Sequence, residues 1–448
     1  MENLKKKYGL FTAIAMVVGV VIGSGVFFKA DDVLKLTQGN LILALLAWTV
    51  GALSMIFGAL VFSEFAQRIE KSNGIVDYSE AAYGKRFGYL VGWFNGVLYF
   101  SPLSAILAWV AALYTMILLG SENPTNSLMT WMLAISFMIV TYLLNYFAPV
   151  MAGKFQVGTT LIKLIPLTLV AVVGIFSGLT HGVTLDNFTH AAQSIGSNKG
   201  GLASAVVATA FAYEGWIVAI TINGEIKDSK KNLPKALVLG TFVIFLVYIF
   251  YFLGIAGVLP TSTIVAEGDN AVRIATTNLF GNTASVILTA FVVVSCLGTL
   301  NGLVMSCIRI PFSLAIRNQG PMPSLLSKVN DRTNMPLNAS IFAVILSMGY
   351  LSLWYMSLNN ILGRYVALDE IPIVMVYGLY LFLYAWYVKN YKDLGFFKRY
   401  VVPLFATIGA GIILYGGIQN PSIGMYLIIS ILVLLLGLVF YKAERGIE

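Results

Sequence analysis

Three places in an otherwise apolar chain carry residues that can do chemistry. Two are runs, Val20-Val21-Ile22-Gly23-Ser24-Gly25-Val26 and Phe211-Ala212-Tyr213-Glu214-Gly215-Trp216; the third is the lone cation Lys163. Each lies near the middle of a long hydrophobic stretch. Glycine in a helix interior costs about 1 kcal/mol against alanine, so Gly23 and Gly25 around Ser24 weaken helix continuity. Close packing against a neighbouring helix would also explain small residues there. Glu214 beside Gly215 is the counterpart. A carboxylate at the bilayer centre is costly, and it normally faces protein or water. A structural hydrogen bond or an ion pair to another helix is the plain alternative for it.

Two unwound helices facing each other would form a receptor for a zwitterion. Unwinding frees N–H groups at the start of the second half-helix and carbonyls at the end of the first. The N–H groups, with the positive end of the helix dipole, suit a carboxylate; the carbonyls suit an ammonium. The N–H groups of Ser24 and Gly25 are the expected carboxylate partners, and the carbonyls of Val21, Phe211 and Glu214 the expected amine partners. With Gly23 and Ala212, these residues form the candidate substrate set. Phe211, at the break, would serve as a gate over bound substrate, although packing explains any single aromatic nearly as well.

Lys163 lies about 13 residues from either end of its span, too deep to snorkel easily. It is expected to face the bundle as a fixed charge linking the first span to its neighbours. A proton acceptor or a lysine bonded structurally to carbonyls remains open. Lys154 and Arg309 lie nearer span ends, where snorkelling accounts for them. Glu64 and Glu225 sit at helix ends suited to gate or loop ion pairs. Asp369 and Glu370, before Pro372, suit an outer gate or a capped kink. Both histidines, His181 and His190, fall in a loop, so a buried histidine relay is not expected.

The elements that position these residues are transmembrane helices. Of 448 residues 58% are hydrophobic and 11% charged, against about 25% charged in soluble domains. Runs long enough to span a bilayer fall near 9–35, 40–67, 86–118, 128–147, 150–177, 200–224, 235–258, 284–316, 337–357, 361–387, 400–419 and 421–441. The expected fold is therefore all-α, with twelve spans. The first run follows Lys5-Lys6-Lys7 and continues into further spans, so it reads as a retained helix rather than a cleaved signal. Of the 28 Lys and Arg, 21 fall on the side of the N terminus, five on the opposite side and two within spans. The positive-inside rule then places both termini in the cytoplasm of a cell membrane. The same distribution accounts for the net charge of +8 without a nucleic-acid partner. Cys296 and Cys307 share one apolar run, so no disulfide framework is expected. No metal cluster, nucleotide loop or catalytic triad is legible, so neither cofactor nor enzyme activity is expected.

Spans one and six are corresponding members of two five-helix halves. Paired interrupted spans are the best sequence pointer to a transporter built from inverted repeats. The division expected is 1–177 for spans one to five, 178–387 for spans six to ten, and 388–448 for the last two spans and tail. The symmetry rests on the position of the breaks, not on residue similarity.

The chain resembles the amino acid–polyamine–organocation (APC) superfamily, and within it the L-amino acid transporter branch. The match is carried by Ile22-Gly23-Ser24-Gly25-Val26-Phe27, by Phe211 to Trp216, by Gly224-Glu225-Ile226-Lys227 with Asn232-Leu233-Pro234-Lys235-Ala236, and by Lys163 after Lys154-Phe155-Gln156. The resemblance covers nearly the whole chain. It implies a five-plus-five inverted-repeat fold with discontinuous helices 1 and 6 and two added C-terminal helices. It also implies sodium-independent exchange of neutral amino acids by alternating access. The branch's buried lysine falls on Lys163 and its gating aromatic on Phe211. Where the branch often has Gly or Asp, Glu214 stands here, and Glu70-Lys71-Ser72-Asn73-Gly74 replaces the usual proline and paired glycines after span two. Animal members bond a glycoprotein through a cysteine between spans three and four. The segment Gly120 to Ser127 has none, so no disulfide-linked ancillary subunit is expected, as in bacterial members.

The first expectation is an exchanger of small neutral L-amino acids of the alanine, serine and cysteine type. A proton-coupled symporter using Lys163 or Glu214 is the second. A cationic amino acid or polyamine carrier with Glu214 as counter-charge is the third.

Overall fold

In the computed structural model, residues 5–441 are described apart from 24, 29, 70–72, 126, 195–200, 269, 364–365, 367, 369 and 419–421. For Phe27, Phe28, Ala30, Phe211, Ala284, Ser285, Glu370 and Ile371 the backbone alone is described. Nearly all of the described chain is helical. Among the described residues nine helices are long and apolar enough to cross a bilayer: Leu41–Arg68, Lys85–Leu118, Leu128–Phe147, Pro149–Thr180, Ser229–Val258, Val286–Ala315, Leu337–Leu358, Pro372–Asn390 and Phe397–Ile418. Three expected spans fall on shorter helices. The first is divided into Leu10–Val21, Gly25–Phe28 and Ala30–Leu36, the sixth into Leu202–Ala212 and Val218–Thr221, and the last is Ile423–Val439.

Local chemistry sets these boundaries. The Asn40 side chain caps its helix by accepting from Leu43 N–H at 3.0 Å, satisfying one of the orphan donors of the first turn. Pro149 opens Pro149–Thr180, where its missing N–H costs nothing. Lys85–Leu118 contains a π-helical segment, Asn95–Phe100. Pro102, which follows, cannot donate to the carbonyl four residues back, and the widened turn carries the helix past it. The run expected to begin at 361 instead starts as a turn: Asn360 and Gly363 take φ of 54° and 73°, and the helix begins at Glu370. Sequence reading also passed over the non-spanning helices Gly74–Tyr83, Val183–Ser194 and Asn270–Phe280.

The half-helix Leu10–Val21 lies at the centre, packed against Pro149–Thr180, Ser229–Val258 and Asn282–Ala315. The outer helices present apolar side chains such as Val140, Leu169, Ile345 and Leu432 to their surroundings, as lipid requires. Cys296 and Cys307 are both buried and form no disulfide.

Candidate functional site

The first half-helix ends where its residues stop favouring a helix. Val17, Val18, Val20, Val21 and Ile22 are β-branched, which lowers helix propensity, and glycines follow. Ile22 turns to φ −74°, ψ 80°, and helix resumes at Gly25. The second break begins after Ala212 and runs through Tyr213–Ile217 to Val218. Gly215 makes this path feasible with φ of +105°, a region L side chains avoid.

The breaks face one another. A Cβ added to Gly25 would lie 3.5 Å from Ala212 Cα, and one on Gly215 would lie 3.0 Å from Val20 Cγ1. Ser24 lies outside the described residues, as do Asp369 and the side chains of Phe211 and Glu370, so the lid expected of Phe211 has no side-chain description.

Carbonyls at the end of the first half-helix find partners, as buried main-chain groups require. Val18 accepts from Ile22 N–H at 2.9 Å. Lys163 Nζ donates to the carbonyls of Gly19 at 2.7 Å, Ile22 at 2.6 Å and Ser295 at 3.0 Å. An ammonium has three N–H donors, and here three carbonyls receive them. Thr299 Oγ1 also donates to Gly19 O at 3.1 Å. The Ser295 hydroxyl faces Ile22 O and Gly23 O at 3.0 and 3.1 Å. Lys163 is fully buried and stands at the negative end of the half-helix dipole, where a cation is favoured. Lys163 thus faces the bundle and joins the first half-helix to Asn282–Ala315.

Tyr248, on Ser229–Val258, was missed by sequence reading. Its single hydroxyl proton faces the carbonyls of Val21 at 2.9 Å and Ala212 at 3.0 Å, the last helical residues on either side of the gap. Gly23 N–H also reaches Val21 O at 2.8 Å. The Val21 carbonyl therefore has two protein partners, so it is not the bare amine acceptor expected; the tight turn after the helix end brings Gly23 back onto it. A tyrosine in an apolar run carries no signal of its own, which is why Tyr248 escaped notice.

Glu214 is buried and its Oε1 accepts from the Tyr99 hydroxyl. Tyr99 sits in the π-helical segment, which turns it toward the break. The Tyr377 hydroxyl and the Gly215 N–H also approach the carboxylate, while Oε2 has no hydrogen bond of good geometry among the described residues.

On the N-terminal side of the breaks the chain is tied shut. The N–H groups of Lys7 and Tyr8 donate to Glu225 O at 2.8 and 3.0 Å, and Lys227 N–H to Tyr8 O at 2.8 Å. The Glu225 carboxylate pairs with Lys7 at 2.9 Å and with Arg309 through both oxygens. Arg309 Nη2 reaches Tyr8 Oη at 3.4 Å, and the Tyr8 hydroxyl donates to Pro149 O at 3.0 Å. Arg309 is 2% exposed, which corrects the snorkelling expected of it: Glu225 meets it inside the bundle. Lys154 is exposed. Glu64 pairs with Lys398 at 2.6 Å, and Arg317 pairs with Asp77 and Glu80. In the loop after Pro372–Asn390, the hydrogen-bonded Arg68 guanidinium holds the Asp393 carboxyl below the usual carboxylate range. Both histidines are exposed on or beside the helix Val183–Ser194. Among the described residues no group of His, Cys, Asp and Glu could hold a metal.

Comparison with known proteins gives one family model over residues 8–442, described as amino acid permease. The chain is 31% identical over 405 residues to the serine/threonine exchanger SteT of Bacillus subtilis (strain 168), covering 90% of this chain and 88% of that one. It is 27% identical over 350 residues to the human cystine/glutamate transporter, covering 77% of this chain and 68% of that one. With the mouse Asc-type amino acid transporter 1 it shares 28% over 370 residues, covering 80% and 68%.

Proposed function

Because the chain belongs to the amino acid permease family, a family of multi-pass membrane transporters, we propose that it exchanges small neutral L-amino acids across the cell membrane by alternating access and without sodium. In this reading the chain crosses the membrane twelve times, each interrupted span taken as one, with both termini cytoplasmic. The halves 1–177 and 178–387 are inverted repeats, and 388–448 adds the last two spans.

The observation that carries this reading is the facing pair of breaks, joined by Tyr248 and closed on one side by Lys163. The N–H groups of Ser24 and Gly25 receive the substrate carboxylate. The ammonium lies against carbonyls of the second break, those of Phe211 and Glu214, with Gly23 and Ala212 lining the gap and Phe211 over it. The Lys163 ammonium occupies the end of the first half-helix, so the carbonyls there need no sodium ion. Exchange then follows the opening and closing of either side around the fixed site. The Glu225–Arg309–Lys7 cluster closes the cytoplasmic side in this conformation, and no disulfide-linked subunit takes part.

The test is counterflow in proteoliposomes holding the purified protein. Preloaded alanine or serine should drive uptake of labelled substrate and leave only when amino acid is present outside, with no dependence on sodium. A second reading has one observation in its favour, the uncommitted Oε2 of Glu214. That oxygen can hold a proton, giving symport, or face a cationic side chain. Accumulation driven by a pH gradient alone would establish the former, and competition by lysine or putrescine the latter. Independence from both supports exchange of neutral substrates.

A further inference from the structure

A cavity separate from the helix breaks opens on the same side of the bundle as the N terminus. It lies between the ends of five helices and has a cavity volume of about 710 Å³, within the roughly 300–1,000 Å³ of sites that hold a small molecule, so its walls and not its size decide what it takes. Its walls are of two kinds. Val238, Leu239 and Val402 line one part, and Glu64, Lys235 and Lys398 border another. Leu239 is half exposed on a helix that crosses the bilayer, so the apolar part continues into the lipid-facing surface. Lys398 lies on the π-helical turn Phe397–Val401. Its carbonyl accepts from the Tyr387 hydroxyl at 3.0 Å and its ammonium reaches Glu64 at 2.6 Å. The lysine is thus fixed at the rim. Two lysines against one carboxylate leave one positive charge.

A cavity with a hydrocarbon wall, a basic rim and a position at the end of membrane helices matches a lipid, not a soluble anion. Basic pockets between transmembrane helices on the cytoplasmic side take anionic headgroups. We propose that this cavity binds one anionic phospholipid of the adjoining leaflet. Its phosphate lies by Lys235 and Lys398, and an acyl chain lies along Val238, Leu239 and Val402. The single surplus charge matches a single phosphodiester. The inference requires only that the chain spans a membrane, and it is independent of which substrate is carried.

The experiment is native mass spectrometry of the purified full-length protein with phosphatidylglycerol or phosphatidylcholine of identical acyl chains. One phosphatidylglycerol should be retained preferentially, by about fivefold per lysine near the headgroup. Lys235→Gln should lower that preference about fivefold, and Glu64→Gln, which removes the opposing charge, should raise it. Equal retention of the two lipids would overturn the proposal. So would a preference moved by neither substitution, or displacement of the lipid by inorganic phosphate alone, which would leave the apolar wall without a role. If Lys235→Gln fails to fold, the comparison of lipids on the unaltered protein and the opposite sign at Glu64 still decide.

Discussion

The Lys163 ammonium stands 2.6 Å from the carbonyl oxygen of Ile22, the first residue past the end of the central half-helix. One side chain of Pro149–Thr180 therefore fastens the unwound end that shapes the site, and also reaches Ser295 on Asn282–Ala315. A charge-assisted hydrogen bond is worth roughly 1.5–3 kcal/mol. Lys163→Ala should leave a folded, monodisperse protein, yet lower exchange at least about tenfold, a change of about 1.4 kcal/mol. Counterflow rates at equal protein content measure this. Full activity would reject a functional role for the lysine.

Gly25 distinguishes contact from obstruction. The Cβ of Gly25→Ala would meet Ala212 at ordinary contact distance, and its half-saturation concentration should change little. Gly25→Leu extends into the gap and should raise that concentration at least about tenfold, by about 1.4 kcal/mol. Uptake measured over a range of substrate concentrations separates the two. Equal affinity for the leucine variant would move the site elsewhere.

Tyr248→Phe removes one hydroxyl and nothing else. The Val21 carbonyl keeps the Gly23 N–H, whereas the described structure gives the Ala212 carbonyl no second partner. An acceptor orphaned in this way costs about 1–3 kcal/mol, so both the melting temperature and the exchange rate should fall. A variant that melts and transports as the parent does would show that the hydroxyl does not hold the two breaks together.

The extent to which these residues could be read in advance follows from what sequence encodes. Gly-Ser-Gly and Glu-Gly in apolar runs announced both breaks, because helix propensity and the cost of a buried carboxylate are local properties. Lys163 was legible for the same reason, since a deep cation must find oxygens. Tyr248 and Tyr99 were not legible. Each is an aromatic in a hydrophobic helix, and only the crossing of helices, or the π-helical turn that aims Tyr99, gives it a task. Arg309 was misread because its distance from a span end says nothing of Glu225, 84 residues away in sequence. The bare acceptor expected at Val21 failed through a turn too tight to read from residue types.

The Arg309–Glu225 pair makes a separate prediction. Breaking a buried pair by removing one partner costs about 3–5 kcal/mol where the other charge is left uncompensated; here Lys7 still pairs with Glu225, so the loss is smaller. Arg309→Met should lower the melting temperature. It should also speed modification of Cys307, now buried two residues away on the same helix, by a thiol reagent as this side of the bundle loosens. Unchanged melting and labelling would mean that the pair does not hold this side closed.

The most direct test of a receptor for both poles of a zwitterion is competition with analogues that lack one pole. In counterflow of labelled alanine, unlabelled alanine and serine should compete strongly. Alaninamide, without the carboxylate, and propionate, without the ammonium, should compete at least about a hundredfold less well, a difference of about 2.7 kcal/mol. Competition by either analogue as strong as that of alanine would contradict a site in which unwound main chain holds both ends of the substrate.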